Sequence, residues 1–369
     1  MNTLRLAVIG AGRLGGFHAQ KAAAHQGVDL VAVADPSPEA RRCVAEQCQT
    51  QAVADPRELA GRVDAVVIAA PTCLHHRLGM EWLGRGIHVL MEKPLCPTRA
   101  EAEELVETAR KNHVVLQVGH VERFNPAWDA ARSCVSAPKY IEAVRSSGFT
   151  FRSIDVGVVL DLMIHDIDLV LSLVNSPLRK VEALGISVMG GHEDVANARL
   201  HFASGCVATL SASRVSYEAA RRMQVWSAEG FASIDFATRS ATLVRPCDAI
   251  LERQFDIAAL SADQVEHYKN HLFEDLLRRE TREADAVDAL ALELDDFIEA
   301  IRQSREPRVS GEDARDAVAV AQRVLNQIHA HAWDETLVGP MATPHPAAIP
   351  SPHWNLAPTT SPAARKKAG

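Results

Sequence analysis

Several classes of protein are excluded by what this sequence lacks. None of its seven cysteines forms a CxxC pair or a zinc-finger spacing, which favours a reduced protein. No apolar run approaches the roughly 20 residues that a membrane helix needs. The first strand-like segment begins at Leu4, which leaves no room for a secretory leader. We therefore expect a cytoplasmic protein that is not inserted in a membrane.

An excess of positive charge is also lacking. The chain has 39 Lys and Arg against 47 Asp and Glu, and its formal net charge is −8. Such a chain is not attracted over long range to nucleic acid or to anionic membranes, so we expect neither as a partner. Any anion that it binds must be held by local donors.

The first third of the chain has the pattern of a parallel sheet. Short apolar runs alternate with helical patterns, as in strands joined by crossover helices and buried on both faces. The predicted strands are residues 4–9, 30–34, 65–69, 88–91 and 114–118. Because 369 residues exceed what one hydrophobic core usually holds, we expect a second domain after them.

The pattern changes after residue 120. A helical run at 161–174 precedes closely spaced strands with turn residues between them, which is typical of an antiparallel sheet. These predicted strands are residues 181–188, 196–202, 207–212, 223–227, 232–236 and 241–244, with Gly190-Gly191 in one of the turns. Two amphipathic helices, at 287–304 and 312–331, follow, the second with Ser310 as its N-cap.

A glycine-rich segment follows the first predicted strand and opens a helical pattern, the context of a dinucleotide-binding loop. In this loop Gly10 permits the tight turn, Gly12 lets the backbone approach a pyrophosphate, and Gly15 allows close helix–sheet packing. The helix N-terminus supplies free N–H groups to the phosphates. The residues of this loop that we expect to contact the cofactor are Gly10, Gly12, Arg13, Leu14 and Gly15.

An acidic residue stands where a ribose would be recognised. Asp35 ends the second predicted strand, 20 residues after Gly15, and a carboxylate there accepts hydrogen bonds from the ribose hydroxyls. It repels a 2'-phosphate, so the predicted cofactor is NAD and not NADP. Two alternatives stay open: Asp35 caps the helix near Pro38, or Arg13, Arg41 and Arg42 admit NADP.

The ends of the later strands carry further polar residues. Glu92-Lys93-Pro94-Leu95 follows the fourth predicted strand at the carboxyl edge of the sheet, where open α/β folds bind ligands. Far along the chain, Asp161 and His165 are four residues apart, so they share a face if the run is helical. The other cofactor contacts that we expect near these strand ends are Pro71, Thr72, His75, Glu92 and Lys93.

In this order and context, the glycine loop, the EKPL segment and the DxxxH run resemble the Gfo/Idh/MocA family of oxidoreductases. The resemblance covers residues 3 to about 333. It implies an N-terminal Rossmann domain and a C-terminal α/β domain built on a large open sheet. It also implies that Lys93, Asp161 and His165 form the catalytic set, with Glu92, Lys93 and Pro94 at the nicotinamide end.

The three catalytic candidates suit oxidation of a carbinol. Abstracting hydride from a carbinol carbon requires removal of the hydroxyl proton, and a histidine such as His165 suits this without large perturbation of its pKa. Asp161 would orient the imidazole, and Lys93 would stabilise the negative charge on the oxygen. Whether Lys93 or His165 takes the proton first stays open.

Two segments give a narrower resemblance. Residues 118–126 (VGHVERFNP) and 157–168 are similar to UDP-N-acetylglucosamine 3-dehydrogenases of that family. This implies a nucleotide-sugar substrate whose 3-keto product an aminotransferase converts to a diamino sugar for lipid A. The alternatives are a dehydrogenase of inositol or another sugar, an NAD-assisted glycosidase, or a cofactor-sensing regulator.

A nucleotide sugar needs cations for its diphosphate. We expect Arg123 and Asn125 to bind substrate together with Asp161 and His165, although a hinge salt bridge is an equal alternative for Arg123. Further candidates, which the sequence does not rank, are Arg152, Arg214, Arg221 and Arg222. His75 and His76 point to different faces, and hydride chemistry requires no ion, so we predict no metal.

The predicted fold class is thus an α/β Rossmann domain followed by an α+β domain with a large, mainly antiparallel open sheet. We assign residues 1–120 to NAD binding and 121–335 to substrate binding and oligomerisation. Residues 336–369 are predicted to be a disordered tail rich in proline and alanine. An exposed open sheet is a liability, which predicts a homo-oligomer, either a dimer or a tetramer.

Overall fold

The computed structural model describes residues 3–132, 134–151, 153–189, 191–283 and 287–331. The predicted tail, the glycine at position 190 and the arginine at position 152 lie outside the described residues. Two sheets organise the described chain, one of six strands and one of eight. None of the helices in these ranges is long and apolar enough to span a membrane.

The first sheet is wholly parallel, with the strand order β3-β2-β1-β4-β5-β6. Its strands are β1 (Leu4–Ile9), β2 (Val28–Ala34), β3 (Gln51–Val53), β4 (Ala65–Ile68), β5 (His88–Met91) and β6 (Leu116–Val118). All five predicted strands are confirmed. The sixth, β3, was not predicted, because its three residues are too few for a pattern and two of them are exposed.

Helices cover both faces of this sheet. The N-terminal half contains α1 (Arg13–Ala24), α2 (Pro38–Gln47), α3 (His75–Leu83) and α4 (Arg99–Lys111). Alternate residues of one strand enter different cores, as when Val8 packs with the side of α1 and Ile9 with the side of α3. Burial on both faces explains why these strands read as continuous apolar runs.

The second sheet is mixed, with the order β14-β13-β12-β11-β7-β10-β9-β8. The strands are β7 (Tyr140–Ser146), β8 (Leu178–Ile186), β9 (Val195–Phe202), β10 (Val207–Ser213), β11 (Ala220–Ser227), β12 (Gly230–Asp235), β13 (Ser240–Pro246) and β14 (Leu277–Glu283). Among the described strands of this sheet, β7 and β10 alone pair in parallel, so the prediction of a mainly antiparallel sheet is confirmed. The sequence did not reveal β7 and β14, whose charged residues hide the strand pattern.

One face of the second sheet is covered and the other is open. The remaining helices are α5 (Pro126–Arg132), α6 (Ile164–Val174), α7 (Asp248–Leu251), α8 (Ala262–Asn270), α9 (Ala289–Gln303) and α10 (Gly311–Ala330). The covered face packs against α5 and α6, and residues of β10 alternate between buried and half-buried. On the other face the Trp226 ring packs at tilted angles against Tyr140 and Phe231, and all three stay partly exposed.

The two C-terminal helices are confirmed, and they tie the halves together. Ser310 caps α10 as predicted, because its hydroxyl accepts the Asp313 N–H at 3.1 Å. Leu294, Phe297 and Ile298 of α9 pack against β1 and β4 in the first half. The Rossmann layer is therefore completed by chain that lies far beyond residue 120.

Candidate active site

The glycine-rich loop joins β1 to α1 and leaves a cradle in front of the helix. A Cβ at Gly10 would lie 2.3 Å from the Ala69 carbonyl oxygen, and one at Gly15 would lie 1.8 Å from the Gly10 carbonyl oxygen. A Cβ at Gly12 would meet nothing within 4 Å. Gly12 also caps α1 without a side chain, so the first N–H groups remain free for an anion. The loop therefore fits the pyrophosphate of a dinucleotide.

Asp35 lies at the end of β2 beside this loop. Its carboxylate is buried and accepts the Ala11 N–H at 2.7 Å and the Ser37 N–H at 2.8 Å. The helix α2 is capped by Ser37 and not by Asp35, contrary to the alternative considered above. Arg41 is close by and donates to the carbonyl oxygens of Asp35 and Pro36. Asp35 thus fixes the loop and carries negative charge at its rim.

The segment after β4 is held in place by a buried histidine. The two ring nitrogens of His75 lie 2.8 Å from the carbonyl oxygens of Pro94 and Ala70. The Thr72 N–H donates to Asp155 at 3.2 Å. His75 therefore joins the loop after β4 to the loop after β5, and it faces these carbonyl groups rather than open space.

Glu92 is buried at the end of β5. The His18 Nε2 atom lies 2.7 Å from Glu92 Oε1, and the Lys93 N–H donates to Glu92 Oε2 at 3.2 Å. Burial by itself would raise the pKa of Glu92, but the hydrogen bond and charge of His18, helped by Lys93, lower it. His18 was missed by the sequence reasoning, although it lies one helical turn after Gly15.

Lys93 and Asp161 meet across the two halves of the chain. The Lys93 ammonium donates to the Asp161 carbonyl oxygen at 2.6 Å and to its carboxylate at 3.0 Å. Asp161 lies in a π-helical turn, Val159–Met163, which continues directly into α6. The Glu193 carboxylate accepts the Val159 N–H at 3.1 Å and so stabilises the start of this turn. Lys93 retains a third N–H for another acceptor.

His165 follows this turn, and its surroundings differ from the expectation in two ways. The described residues contain no hydrogen bond between Asp161 and His165, so Asp161 holds Lys93 and does not orient the imidazole. Burial lowers the pKa of His165 well below its ordinary value, and Lys93 and Arg145 lower it further. The expectation of a weakly perturbed histidine was wrong, because it ignored burial among cations.

Next to the half-buried His165 lies His120, which is fully buried. The His120 ring meets it edge to face, with 6.0 Å between the centroids. Neither His120 nitrogen has a hydrogen-bond partner among the described residues, and burial lowers its pKa. His120 lies in the segment 118–126, which carries part of the family resemblance, but its spacing from the other candidates gave no reason to place it in the site.

A buried ionic network lies beneath these rings. Arg145 donates to Asp166 at 2.8 Å and to Glu122 at 2.8 Å, and it is 4% exposed. Its guanidinium also lies over the Phe236 ring at 5.8 Å. Sequence reasoning missed Arg145, because the alternation that would have marked strand β7 was not recognised.

The two other predicted substrate residues bind protein groups instead. Arg123 donates to both carboxylate oxygens of Asp168, at 2.7 and 3.1 Å. Asn125 donates to Glu122 and to the Phe236 carbonyl oxygen, and it accepts the Ala127 N–H. The geometry therefore favours the hinge salt bridge for Arg123 and a structural role for Asn125. The sequence alone could not show whether Arg123 and Asn125 bind the substrate or other groups of the protein.

The further arginine candidates separate clearly in the structure. Arg214 is buried and donates to Asp194 at 2.7 Å, so it is a structural residue. Arg222 pairs in register with Val144 on the open face of the sheet. Arg221 is exposed on the covered face, beside Arg145. Within the described ranges no group of three or more His, Cys, Asp or Glu side chains is arranged to hold a metal ion.

Comparisons with known protein families and sequences agree with this architecture. The model of the Gfo/Idh/MocA oxidoreductase family with an NAD-binding Rossmann fold matches residues 4–120, and that of its C-terminal domain matches residues 130–233. A UDP-N-acetylglucosamine 3-dehydrogenase from Acidithiobacillus ferrooxidans is 35% identical over 328 residues, covering 89% of this chain and 98% of the relative. A scyllo-inositol 2-dehydrogenase (NAD+) from Bacillus subtilis is 29% identical, covering 84% and 90%.

Solved structures give the same result. That of the Acidithiobacillus ferrooxidans enzyme superposes with a TM-score of 0.78 at 34% identity, covering 89% of this chain and 99% of that one. A levoglucosan dehydrogenase in complex with NADH and levoglucosan has a TM-score of 0.75 at 18% identity, covering 90% and 99%. The second likeness concerns the fold alone. The predicted fold class is confirmed.

Proposed function

The chain belongs to the Gfo/Idh/MocA family of NAD-dependent oxidoreductases, and we propose that it oxidises the C3 carbinol of UDP-N-acetylglucosamine to a ketone. Its relative of that activity is 35% identical and matches 89% of the chain. The observation that carries the chemistry is the Lys93–Asp161 ion pair of 3.0 Å beside His165, at the carboxyl edge of the Rossmann sheet.

Each catalytic candidate has a role that follows from its contacts. The chemistry that bound NAD would supply is acceptance of the hydride from the carbinol carbon. His165, which is half-buried, takes the hydroxyl proton, because a histidine with a lowered pKa is neutral and can accept one. Lys93 donates its remaining N–H to the substrate oxygen as negative charge develops there. Asp161 positions the Lys93 ammonium.

The cofactor would be held by the first half of the chain. The free N–H groups at the start of α1, with Gly10, Gly12 and Gly15, would hold the pyrophosphate, and Arg13 and Leu14 are exposed at the start of the same helix. Asp35 would accept hydrogen bonds from the ribose hydroxyls and would disfavour a 2'-phosphate. Pro71, Thr72, Glu92 and Lys93 would line the nicotinamide site, and His75 holds the loops that carry them.

We assign residues 1–120 to NAD binding and residues 121–335 to substrate binding and to contacts between subunits. The half-exposed aromatic face of the second sheet supports a homo-oligomer, a dimer or a tetramer, in which a second copy covers that face. The enzyme would act in the cytoplasm. Its 3-keto product is a substrate for transamination, as required for diamino sugars of lipid A.

The test is direct. Purified protein is mixed with NAD and UDP-N-acetylglucosamine, NADH absorbance is followed, and the product mass is measured. We expect NADH to accumulate with a product lighter by two hydrogen atoms. Release of a sugar without net NADH would favour an NAD-assisted glycosidase instead, and binding of NAD without any turnover would favour a sensor.

A second candidate is oxidation of an inositol or another free sugar. The 29% identity to a scyllo-inositol 2-dehydrogenase favours it, because the same Rossmann domain and catalytic chemistry would serve both substrates. The two candidates are separated by comparing kcat/KM for inositols and for UDP-N-acetylglucosamine. A larger value for an inositol would replace the nucleotide sugar as the substrate.

A further inference from the structure

One arginine on the covered face of the second sheet has a charge that no described acidic group neutralises. Along β11, Arg221 shares its side of the sheet with Met223 and Val225, which are both fully buried. Arg221 itself is exposed, since it lies near the start of the strand where the covered face reaches solvent. The side chain thus stands at the solvent-exposed edge of the covered face and not on the open face.

The neighbours of Arg221 place it near the reacting end of the site. It pairs in register with Arg145, whose guanidinium contacts the helix that carries His165. Its positive charge is also one of those that lower the pKa of His165, after burial, Lys93, Arg145 and His120. Arg221 is therefore on the same side of the sheet as the proposed chemistry, within electrostatic reach of His165.

The other cations of this region are already matched. Arg145 is bound by Asp166 and Glu122, and Lys93 is bound by Asp161. Arg221 makes no side-chain hydrogen bond or ion pair within the described part of the chain. In a chain with a net charge of −8, an unpaired guanidinium at this exposed edge is suited to an anionic ligand.

We propose that Arg221 binds the diphosphate of the nucleotide-sugar substrate and so sets the preference for a nucleotide sugar over a free sugar. The inference rests on the proposed function, because it needs a substrate with a diphosphate. Its planar, doubly donating side chain matches two phosphate oxygens, and the same contact gives nothing to an inositol.

The loops at this edge extend the site in the direction that a nucleoside would take. The strands β7 and β10 end there and β11 begins there, and the Ser216 N–H donates to the Ser147 carbonyl oxygen at 3.0 Å. The loop that follows β7 carries the exposed ring of Phe151 (76% exposed), and the loop that joins β10 to β11 carries that of Tyr217 (103% exposed). Such rings can stack on a base.

The test compares Arg221→Ala with Arg222→Ala, a matched control one residue away on the opposite face. Isothermal titration with UDP, in the presence of NAD, measures diphosphate binding without turnover. We expect Arg221→Ala to weaken UDP binding by about 10- to 100-fold and Arg222→Ala to leave it unchanged. Arg221→Lys should restore part of the loss, since it keeps the charge but not the fork.

Steady-state assays complete the test. For UDP-N-acetylglucosamine, Arg221→Ala should raise KM by a similar factor with little change in kcat, whereas kcat/KM for N-acetylglucosamine should change far less. Equal UDP affinities in the wild type and Arg221→Ala would overturn the proposal, as would a wild type that binds no UDP. A wild type that binds UDP through Arg221 but oxidises only other UDP-sugars would overturn the C3 assignment and leave the diphosphate contact supported.

Discussion

The two ends of the cleft are built in different ways. At the cofactor end, the phosphate-binding cradle is formed by backbone groups of one short segment, and the hydrogen bond from the Ala11 N–H to Asp35 joins residues only 24 apart. At the carbinol end, the site is made of charged side chains, and Lys93 and Asp161 are 68 residues apart. A backbone cradle depends on shape, whereas the charge cluster depends on each of its members, so the two ends should respond differently to substitution.

The largest difference is expected for His165→Ala. Loss of the proton acceptor should lower turnover by about 10²- to 10⁴-fold, while the affinity for NAD stays near that of the wild type. Turnover is measured by NADH absorbance and affinity by titration calorimetry. His201→Ala is the control, because this histidine pairs with Glu182 away from the cleft. Near-normal turnover of His165→Ala would remove the histidine from the mechanism.

A smaller but still large loss is expected for Lys93→Met. Removing the donor to the developing oxyanion should lower kcat by about 10²- to 10³-fold, because that contact strengthens as the reaction proceeds. Asp161→Asn should lower it less, since the carbonyl oxygen of residue 161 still accepts from Lys93 at 2.6 Å. If Asp161→Asn were the more damaging of the two, Asp161 would act directly on the substrate.

At the cofactor end the expected change is one of selectivity. Asp35→Ala removes the carboxylate that disfavours a 2'-phosphate, so the ratio of kcat/KM for NAD to that for NADP should fall by roughly 10-fold or more. Asp29→Ala, which alters an exposed residue at the other end of β2, should leave the ratio unchanged. Equal use of both cofactors by the wild type would refute the role of Asp35.

The smallest expected effect is on the stability of the protein, and it comes from a buried carboxyl group in helix α9. Glu293 of α9 is fully buried, and neither carboxyl oxygen has a hydrogen-bond partner among the described residues. Burial raises the pKa of Glu293 well above its ordinary value, and the charges of Glu92 and Asp296 raise it further. The folded state therefore binds the Glu293 proton more tightly than the unfolded state does. As a result, the free energy of unfolding falls as pH rises above the pKa that Glu293 has in the unfolded chain.

The substitution Glu293→Gln removes the titrating carboxyl group, so the variant does not lose stability with rising pH at this position. The free energy of unfolding of the variant, relative to the wild type, should therefore increase with pH by roughly 1.4 kcal/mol per unit between the two pKa values. Urea unfolding at several pH values measures it. Glu299→Gln, on the exposed side of the same helix, should show no such trend. A flat difference for Glu293→Gln would mean that the carboxyl is ionised in the folded protein.

The sequence predicted the cofactor end better than the carbinol end, because the first depends on local patterns and the second on contacts between distant segments. The glycine loop, β1, β5 and Ser310 were found because local patterns determine them. The features that the sequence did not predict depend on contacts between distant segments. They are the π-helical turn that places Asp161 beside Lys93, the ionic network of Arg145, and the ion pair between Arg123 and Asp168. No periodicity shows which carboxylate a given arginine will meet, so the residue types were identified and their partners were not.

The account depends on Lys93 and His165 sharing one cleft, and an NMR titration tests this directly. The His165 ring is followed in protein with isotopically labelled histidine, for the wild type and Lys93→Met, without cofactor. We expect the wild-type ring to stay neutral well below pH 6.5, and its pKa to rise in Lys93→Met because a nearby positive charge is gone. The same pKa in both proteins, or an ordinary value in the wild type, would contradict the proposed site.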